Sequence, residues 1–441
     1  MPSFAAVLLL SLLLSLSSAS AWWGSSKEKD KSDPIPKVCS NYEPVYRSID
    51  RDLGFFKRMG GITPRLMAAT IKMHTAHNRE KGLAVAIYHG RVYVISDRKT
   101  SPMFLKPFGH HVTLWVAYLK VIMDLASRYG PALPNVEFVW HTIDRPVRLA
   151  NASEGAINYP VFRFGKSPAH PDILIPNFHF YMKGYQSKYI DRIPSRYKDS
   201  PWELRKDVLF SRFSEYPRYT HPNDSYTQRL WLGGQPMCEV EGRSTSLCPV
   251  RIYLHEWSKN HTDKLDISLY HHVPFDEHAK WKYLLHVDGQ GLSSKLEFLL
   301  TLGSLVFKEE SGYEAYYHHL LKPNVHYVPV WKAGEGPEGM LTAVDWARDN
   351  DAKAREIAKA GQELASKYLT AEARACFWLR LLRAYAETMT YDPVSYRNIT
   401  IDERTGEARG ALRYIKPAQR WLDEDVRAHA PRLVEELDWE P

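Results

Sequence analysis

The sequence predicts an α/β fold, and three observations support this prediction. Residues 281–330 alternate between short apolar runs, which are typical of buried strands, and helical or turn segments. Residues 62–142 contain a second mixture of strand and helix patterns. From Leu341 onward, apolar residues recur with helical spacing. The alternation indicates parallel βαβ units followed by a helical end.

The first block is predicted to be a small α/β unit. Its expected elements are a helix over 62–78, strands at Leu83–Tyr88 and Val92–Ile95, a helix at Val112–Tyr129 and a strand at Val136–Thr142. His89-Gly90 favours a hairpin between the first two strands. Residues 145–205 hold many Pro, Tyr and Gly residues but few periodic segments, so we expect loops over a cleft there.

A second α/β unit is expected from about residue 207 to residue 335, and it includes Val250–Tyr253. Its predicted strands are Asp207–Ser211, Tyr283–Val287, Ser304–Lys308 and His326–Val330, and its predicted helices run from Ser293 to Gly303 and over Tyr313–Leu321. Three further helices are predicted over 341–348, 352–368 and 370–388.

A glycine turn, Asp288-Gly289-Gln290-Gly291, links a predicted strand to the helix that begins at Ser293. In parallel α/β sheets, ligands bind at the carboxyl ends of strands, and helix N-termini hold anions. The turn is therefore a candidate diphosphate cradle. From spacing alone, an ordinary βα turn is the favoured interpretation.

Composition and charge narrow the class of protein. The 441 residues carry a net charge of +7 and contain no Lys/Arg block, which argues against a nucleic-acid partner. Residues 1–21 resemble a signal peptide, with an apolar run before Ala19-Ser20-Ala21, although an uncleaved anchor is the alternative. Residues 22–37 are expected to be a flexible leader, and no later run is long enough to span a membrane. We expect residence in the endoplasmic reticulum or Golgi lumen, or secretion.

Four cysteines, an even count in a secreted chain, suggest two disulfides, for which three pairings exist. Cys238 and Cys248 are close enough to close a local loop, and Cys39 and Cys376 would then tie the amino-terminal segment to the carboxy-terminal helices. Four N-x-S/T sequons fit the same compartment, and their asparagines are Asn151, Asn223, Asn260 and Asn398.

Asp144 is a candidate general base because it follows a predicted strand end, where active-site groups of α/β folds concentrate. A turn or capping role is the ordinary alternative. Ser214, Arg218 and Lys295 lie near other predicted strand ends, and such cations can neutralise a diphosphate without a metal. We predict no metal site. Asp349-Asn350-Asp351 resembles a D-x-D metal motif, but its place before a predicted helix favours helix capping.

The stretch 282–330 carries a long and specific pattern. Its matching positions are Lys282-Tyr283, Asp288-Gly289, Ser293, Lys295-Leu296, Gly303-Ser304, Lys308, Leu321, Pro323, His326-Tyr327 and Pro329-Val330. In these residues the chain resembles glycosyltransferase family 90, which includes lipopolysaccharide-modifying enzymes and protein O-glucosyltransferases. The resemblance covers roughly residues 40–390.

This resemblance implies a GT-B fold, in which two Rossmann-like domains face a cleft. The implied domains are an acceptor and base domain over 38–200, a donor domain over 201–340, and helices over 341–441 that pack back on the first domain. It also implies metal-independent, inverting transfer of glucose or xylose from UDP-glucose or UDP-xylose to a protein or glycan hydroxyl, without a cofactor. A non-catalytic sugar- or protein-binding relative is the alternative.

The resemblance also assigns site residues. Asp144 corresponds to the family's catalytic Asp, although its flanking residues differ from the family pattern. The implied donor contacts are Ser214, Arg218, Asp288, Gly289, Gly291, Leu292, Ser293 and Lys295. Two positions depart from the family pattern: Phe213 replaces a Gly, and Lys295 replaces an Arg whose planar fork a Lys cannot reproduce. Because base and cradle belong to different domains, domain closure is expected to assemble the site.

Overall fold

The computed structural model describes residues 35–75, 79–98, 102–146, 148–151, 153, 156–181, 200–242 and 245–429. The predicted signal peptide over 1–21 and most of the predicted leader over 22–37 lie outside these residues. Within the described ranges, no helix is both long and apolar enough to cross a membrane. The chain is a mixed α/β protein built on two main sheets, which confirms the predicted α/β class.

The first sheet has six strands: β1 (Gly82–Tyr88), β2 (Arg91–Ser96), β3 (Val136–His141), β4 (Val161–Arg163), β5 (Ile173–Leu174) and β16 (Tyr414–Pro417). Their order across the sheet is β16-β2-β1-β3-β4-β5. The predicted hairpin is present, with antiparallel β1 and β2 joined through His89 and Gly90, whose φ angles are 47° and 74°. A side chain at Gly90 would lie 2.4 Å from the Gly130 backbone, so the turn packs closely on the end of the following helix.

Residues 145–205 differ from the loops that the sequence predicts. This region contains β4 and β5, which continue the sheet parallel to β3. The two strands have three and two residues, which is too short to display an alternating pattern. Residues 182–199 lie outside the described part of the chain.

The second sheet is parallel throughout and has the order β10-β6-β11-β12-β13. Its strands are β6 (Lys206–Arg212), β10 (Leu265–Ser268), β11 (Trp281–His286), β12 (Leu305–Glu309) and β13 (Val328–Val330). Alternate residues pack on opposite faces, since Leu284 joins the core shared with the first sheet and Leu285 joins a separate core. The sheet therefore has apolar cover on both faces, as parallel sheets require.

The helix predicted over Tyr313–Leu321 is wrong, because only a single 3₁₀ turn at His318–Leu320 forms there. The backbone N–H of Tyr313 donates to Ser311 Oγ, which holds a turn instead. Tyr316 and Tyr317 are buried by packing against the large core around Phe377, and this tertiary contact overrides the helical spacing. The main helices observed are Arg47–Arg58, Pro64–His74, His111–Tyr129, Val250–Ser258, Lys295–Leu299, Gly339–Asp349, Asp351–Tyr368 and Ala371–Thr388.

The last three of these helices confirm those predicted over 341–348, 352–368 and 370–388. The segment that follows is not purely helical, because β14 (Thr400–Ile401) pairs with β15 (Ala408–Arg409) and β16 joins the first sheet. Gly339–Asp349 packs on the separate core of the second sheet, Asp351–Tyr368 contributes to both cores, and Ala371–Thr388 packs on the core shared with the first sheet. The predicted helix cap at Asp349-Asn350-Asp351 falls on Asn350, although its side chain makes no capping hydrogen bond to the helix. Asp351 is the first residue of the helix, and its carboxylate accepts hydrogen bonds from Lys282 Nζ at 2.7 Å and Trp202 Nε1 at 2.9 Å, which tie the helix to β11.

Both expected disulfides form. Cys39–Cys376 joins the amino-terminal 3₁₀ segment to the helix Ala371–Thr388, and Cys238–Cys248 closes a local loop. The second bond lies in an antiparallel sheet of β7 (Arg218–Thr220), β8 (Glu239–Glu241) and β9 (Thr245–Cys248). We call this the accessory sheet, and it is inserted between β6 and the helix Val250–Ser258.

The four sequon asparagines are all exposed, so each is accessible to a modifying enzyme. Their modification stays a prediction. Asn223 lies within the segment that contains the accessory sheet, and Asn260 follows the helix Val250–Ser258.

Candidate active site

Two loops meet where strands of the two sheets end. The base loop, residues 142–146, follows β3, and the glycine loop, residues 288–293, follows β11. An ideal Cβ at Gly291 would lie 1.9 Å from the backbone oxygen of Asp144, so only glycine allows this approach. The base loop and the glycine loop are therefore already in contact without further closure.

Asp144 is half-buried at this junction. Burial raises the pKa of its carboxyl, whereas the nearby His110 and Arg251 act in the opposite direction. Arg163 fixes the base loop, because its Nη1 donates to the carbonyl of Arg145 at 3.2 Å. Arg163 is itself held by an ion pair with Asp172 at 2.7 Å. A fixed carboxylate with a raised pKa has the properties of a general base.

Asp288 is the first residue of the glycine loop. It is buried, and its Oδ1 accepts the backbone N–H of Ser293 at 2.7 Å, while its Oδ2 accepts the hydroxyl of Ser311. Both carboxylate oxygens of Asp288 therefore hold the glycine loop, and its contact with a donor stays a prediction. The helix begins at Lys295 and not at Ser293. The N–H of Ser293 is therefore part of the loop, where it donates to Asp288.

The glycines make room for two neighbours. A Cβ at Gly289 would come within 3.1 Å of Arg251 Nη2, so this glycine lets the guanidinium approach the loop. Leu292 is buried, and a Cβ at Gly165 would lie 2.5 Å from the Cβ of Leu292. The glycine loop thus packs against an arginine on one side and against the first sheet's connections on the other.

Arg251 is the site residue that the sequence reasoning missed. It is buried in the first turn of the helix Val250–Ser258, and its guanidinium donates to the carbonyls of Ser214 at 3.3 Å and Val287 at 3.1 Å. Burial, followed by repulsion from Arg218, lowers its pKa to about 10. A cation in the first turn of a helix opposes the helix dipole. That position was the available signal of function.

Lys295 lies beside Arg251. Its ammonium donates to the carbonyl of Arg212 at 2.8 Å and to Ser211 Oγ at 3.4 Å. Burial, then the charges of Arg251 and Arg212, lower the pKa of Lys295 to about 7. Among the described residues, neither Lys295 nor Arg251 forms a salt bridge with a carboxylate, whereas Arg212 pairs with Asp266 at 2.7 Å. This cation pair is suited to an anionic ligand.

Arg218 does not join the cation pair. It is buried, and its two terminal nitrogens donate to the two oxygens of Glu309 at 2.6 Å each. Arg229 Nε also donates to Glu309, at 2.8 Å. Although burial raises the pKa of Glu309, the two arginines hold it at about 2. Glu309 is thus a counter-ion for Arg218. Arg218 also donates to the carbonyl of Asp288 at 2.9 Å, and this hydrogen bond supports the glycine loop.

Ser214 and Phe213 lie next to Arg251 and Lys295. Ser214 is exposed, and its contact with the site is the carbonyl that receives Arg251. Phe213 is buried, and the Lys295 ammonium lies 5.6 Å from the centre of its ring. Phe213 therefore lines the floor beneath the cation pair. The described residues contain no group of three or more His, Cys, Asp or Glu side chains arranged to hold a metal ion.

The base loop and the glycine loop thus bring together a half-buried carboxylate with a raised pKa and the buried cation Arg251, with the partly buried Lys295 beside that cation, at the ends of strands in an α/β fold. Such groups are suited to group transfer. The family model for glycosyl transferase family 90 matches residues 36–413. The chain belongs to glycosyltransferase family 90, which confirms the resemblance found in residues 282–330.

Curated relatives carry the names of O-glucosyltransferases. The chain is 26% identical over 372 residues to O-glucosyltransferase rumi of Drosophila melanogaster, covering 82% of this chain and 80% of the relative. It is 26% identical over 382 residues to Protein O-glucosyltransferase 1 of Homo sapiens, covering 83% and 88%. For O-glucosyltransferase rumi of Drosophila pseudoobscura pseudoobscura, identity is 29% over 275 residues, which cover 59% of this chain and 62% of the relative.

Proposed function

We propose that this glycosyltransferase transfers glucose from UDP-glucose to a serine or threonine hydroxyl of a protein, with inversion at the anomeric carbon and without a metal. The observation that carries the proposal is the pair of Arg251, which is buried, and Lys295, which is partly buried. Neither forms a salt bridge with a carboxylate among the described residues, and Arg251 is close enough to Asp144 to lower the pKa of its carboxyl. The names of the relatives favour glucose over xylose and protein over glycan. UDP-xylose and a glycan acceptor are the runner-up substrates.

The first sheet would supply the acceptor and base side, over 38–200, and the second sheet the donor side, over 201–340, of a GT-B arrangement. The base loop and the glycine loop come from these two sheets, which supports the division. Of the segment 341–441, the helix Ala371–Thr388 packs on the first sheet. We place the reaction in the secretory lumen, as two disulfides and four exposed sequon asparagines favour.

On the donor side, the diphosphate of the UDP-sugar would bind beside Arg251 and Lys295. Burial and nearby cations lower the pKa of both side chains, because the charged forms of Arg251 and Lys295 are costly in free energy there. A diphosphate relieves that cost, and its own charge grows as the bond to the sugar breaks. The cations therefore stabilise the leaving group more strongly in the transition state than in the ground state. This arrangement supplies the charge that a metal would otherwise provide.

On the acceptor side, the carboxylate of Asp144 takes the proton from the acceptor hydroxyl. The hydroxyl oxygen forms the new bond to the anomeric carbon while the bond from that carbon to the β-phosphate oxygen breaks. UDP leaves with the bonding electron pair, and Asp144 ends protonated. Because attack and departure occur on opposite faces of the sugar, the anomeric configuration inverts.

The test is a donor screen with purified protein, in which UDP-glucose, UDP-xylose and other UDP-sugars are offered with a protein acceptor, with and without chelator. We expect turnover with UDP-glucose that persists in chelator, and a β-linked product by NMR. Retained anomeric configuration or complete loss of activity in chelator would contradict the mechanism. Donor binding without turnover of any acceptor would instead favour the non-catalytic relative.

Asp144→Asn separates the base from the donor site. The variant should lower kcat by about 100- to 10,000-fold, because the amide cannot accept the proton. UDP affinity, measured by calorimetry, should stay within about twofold of the wild type because the cation pair is intact. Wild-type activity in this variant would remove Asp144 from the mechanism.

A further inference from the structure

The accessory sheet is joined firmly to the donor side. In register, Arg218 of β7 lies opposite Cys248 of β9, which is disulfide-bonded to Cys238. Arg218 and Arg229, both in this inserted segment, converge on Glu309 at the end of β12. This ion cluster is buried, so the base of the accessory sheet is fixed to the second sheet.

The next residue of β7 reaches the glycine loop. The backbone N–H of Tyr219 donates to the carbonyl of Gln290 at 3.0 Å, and the carbonyl of Tyr219 accepts the hydroxyl of Tyr313 at 2.9 Å. Together with the bond from Arg218 to Asp288, two consecutive residues of β7 hold two positions of the same loop. The accessory sheet thus continues the donor side as far as the glycine loop.

The side chain of Tyr219 contacts the base loop. The guanidinium of Arg145, the neighbour of Asp144, lies 4.6 Å from the centre of the Tyr219 ring, within the range of a cation–π contact. A second link lies farther along the insertion, where Ser167 Oγ donates to Asp224 Oδ2 at 2.6 Å. The inserted segment therefore touches both sides of the junction.

We propose that Tyr219 is a positioning residue, which holds the loop carrying Asp144 at a fixed distance from the donor-side glycine loop. Its backbone is bound to the glycine loop and its ring to Arg145, so a single residue connects the two loops. Small displacements of a reacting group cost large factors in rate, which makes such a connection useful. The inference rests on the proposed role of Asp144, but the link itself can be tested without activity.

The test compares Tyr219→Ala, which removes the ring, with Tyr219→Phe, which keeps it. By hydrogen–deuterium exchange, the peptide carrying Asp144 should exchange about threefold faster or more in Tyr219→Ala and at the wild-type rate in Tyr219→Phe. In transfer assays, kcat should fall about five- to tenfold in Tyr219→Ala, while the KM for UDP-glucose changes less than about twofold. Tyr216→Ala, an exposed tyrosine of the same insertion, is the matched control and should match the wild type.

Arg145→Gln removes the same contact from the other side without changing the accessory sheet, so it decides the matter if Tyr219→Ala folds poorly. It should reproduce the faster exchange and the lower kcat. Wild-type exchange in both Tyr219→Ala and Arg145→Gln, or an equal effect in Tyr219→Phe, would overturn the proposal. If the wild-type protein transfers no sugar, the proposed function fails, and the exchange rates still decide whether Tyr219 holds the loop.

Discussion

Arg218 and Arg251 are both buried near the glycine loop, but their surroundings differ. Glu309 binds Arg218 through two short hydrogen bonds and raises its pKa despite the opposing effect of burial. Among the described residues, Arg251 donates to the carbonyls of Ser214 and Val287, and burial lowers its pKa to about 10. A buried cation without a counter-ion is costly, so a protein that retains one gains from its ligand. We therefore expect Arg218, which has a carboxylate partner, to stabilise the fold, and Arg251 to contribute to ligand binding.

The largest expected effect is a loss of stability when Glu309, the partner of Arg218 and Arg229, is substituted. Glu309→Gln leaves Arg218 and Arg229 buried without a counter-charge, so the free energy of unfolding should fall by about 3–5 kcal/mol, measured by urea denaturation. Glu310→Gln is the matched control. Its carboxylate is partly exposed and lies 3.4 Å from Lys308, so the loss should be about 0–1 kcal/mol. Similar small losses in both variants would show that the Glu309 cluster does not stabilise the fold.

Substitution of Arg251, which has no carboxylate partner among the described residues, should change ligand binding more than stability. Arg251→Met should weaken UDP binding about 10- to 100-fold, because it removes hydrogen bonds to a charged phosphate. The melting temperature should change little, since the variant deletes a charge that has no carboxylate partner among the described residues. Arg218→Met should lower the melting temperature instead, because it leaves Glu309 underpaired. Equal UDP affinity in Arg251→Met and the wild type would contradict the donor-site assignment.

The smallest expected effect is a pH dependence from Lys295. Its pKa of about 7 means that the ammonium loses its proton as pH rises through 7, and only the charged form attracts a diphosphate. UDP-glucose affinity should therefore fall roughly three- to tenfold between pH 6.5 and pH 8. Calorimetry in the Asp144→Asn background avoids turnover and removes the titration of that carboxyl.

Lys295→Arg is the control for this prediction. A guanidinium stays charged throughout the range, so the affinity should be almost independent of pH. The same pH dependence in Lys295→Arg as with lysine would assign the titration to another group. The assignment to Lys295 would be supported if Lys295→Ala lowers UDP-glucose affinity, relative to the wild type, more at pH 6.5 than at pH 8.

Regular elements and local contacts were predictable from the sequence. The hairpin around His89-Gly90 and the helix His111–Tyr129 depend on neighbours in the chain, and so does the disulfide Cys238–Cys248. The family pattern in residues 282–330 likewise identified the glycine loop and the enzyme class. The Tyr313–Leu321 helix failed because distant aromatic packing outweighed local spacing.

The sequence by itself determined the α/β class, the family and the candidate base Asp144, because these follow from periodicity and from a contiguous motif. Only the tertiary structure shows which cations near the glycine loop have a carboxylate partner. Arg251, Lys295 and Glu309 lie far apart along the chain, and whether a buried charge is neutralised depends on which distant side chain folding brings beside it. For the same reason, the link from Tyr219 to both loops emerges only when the two sheets come together.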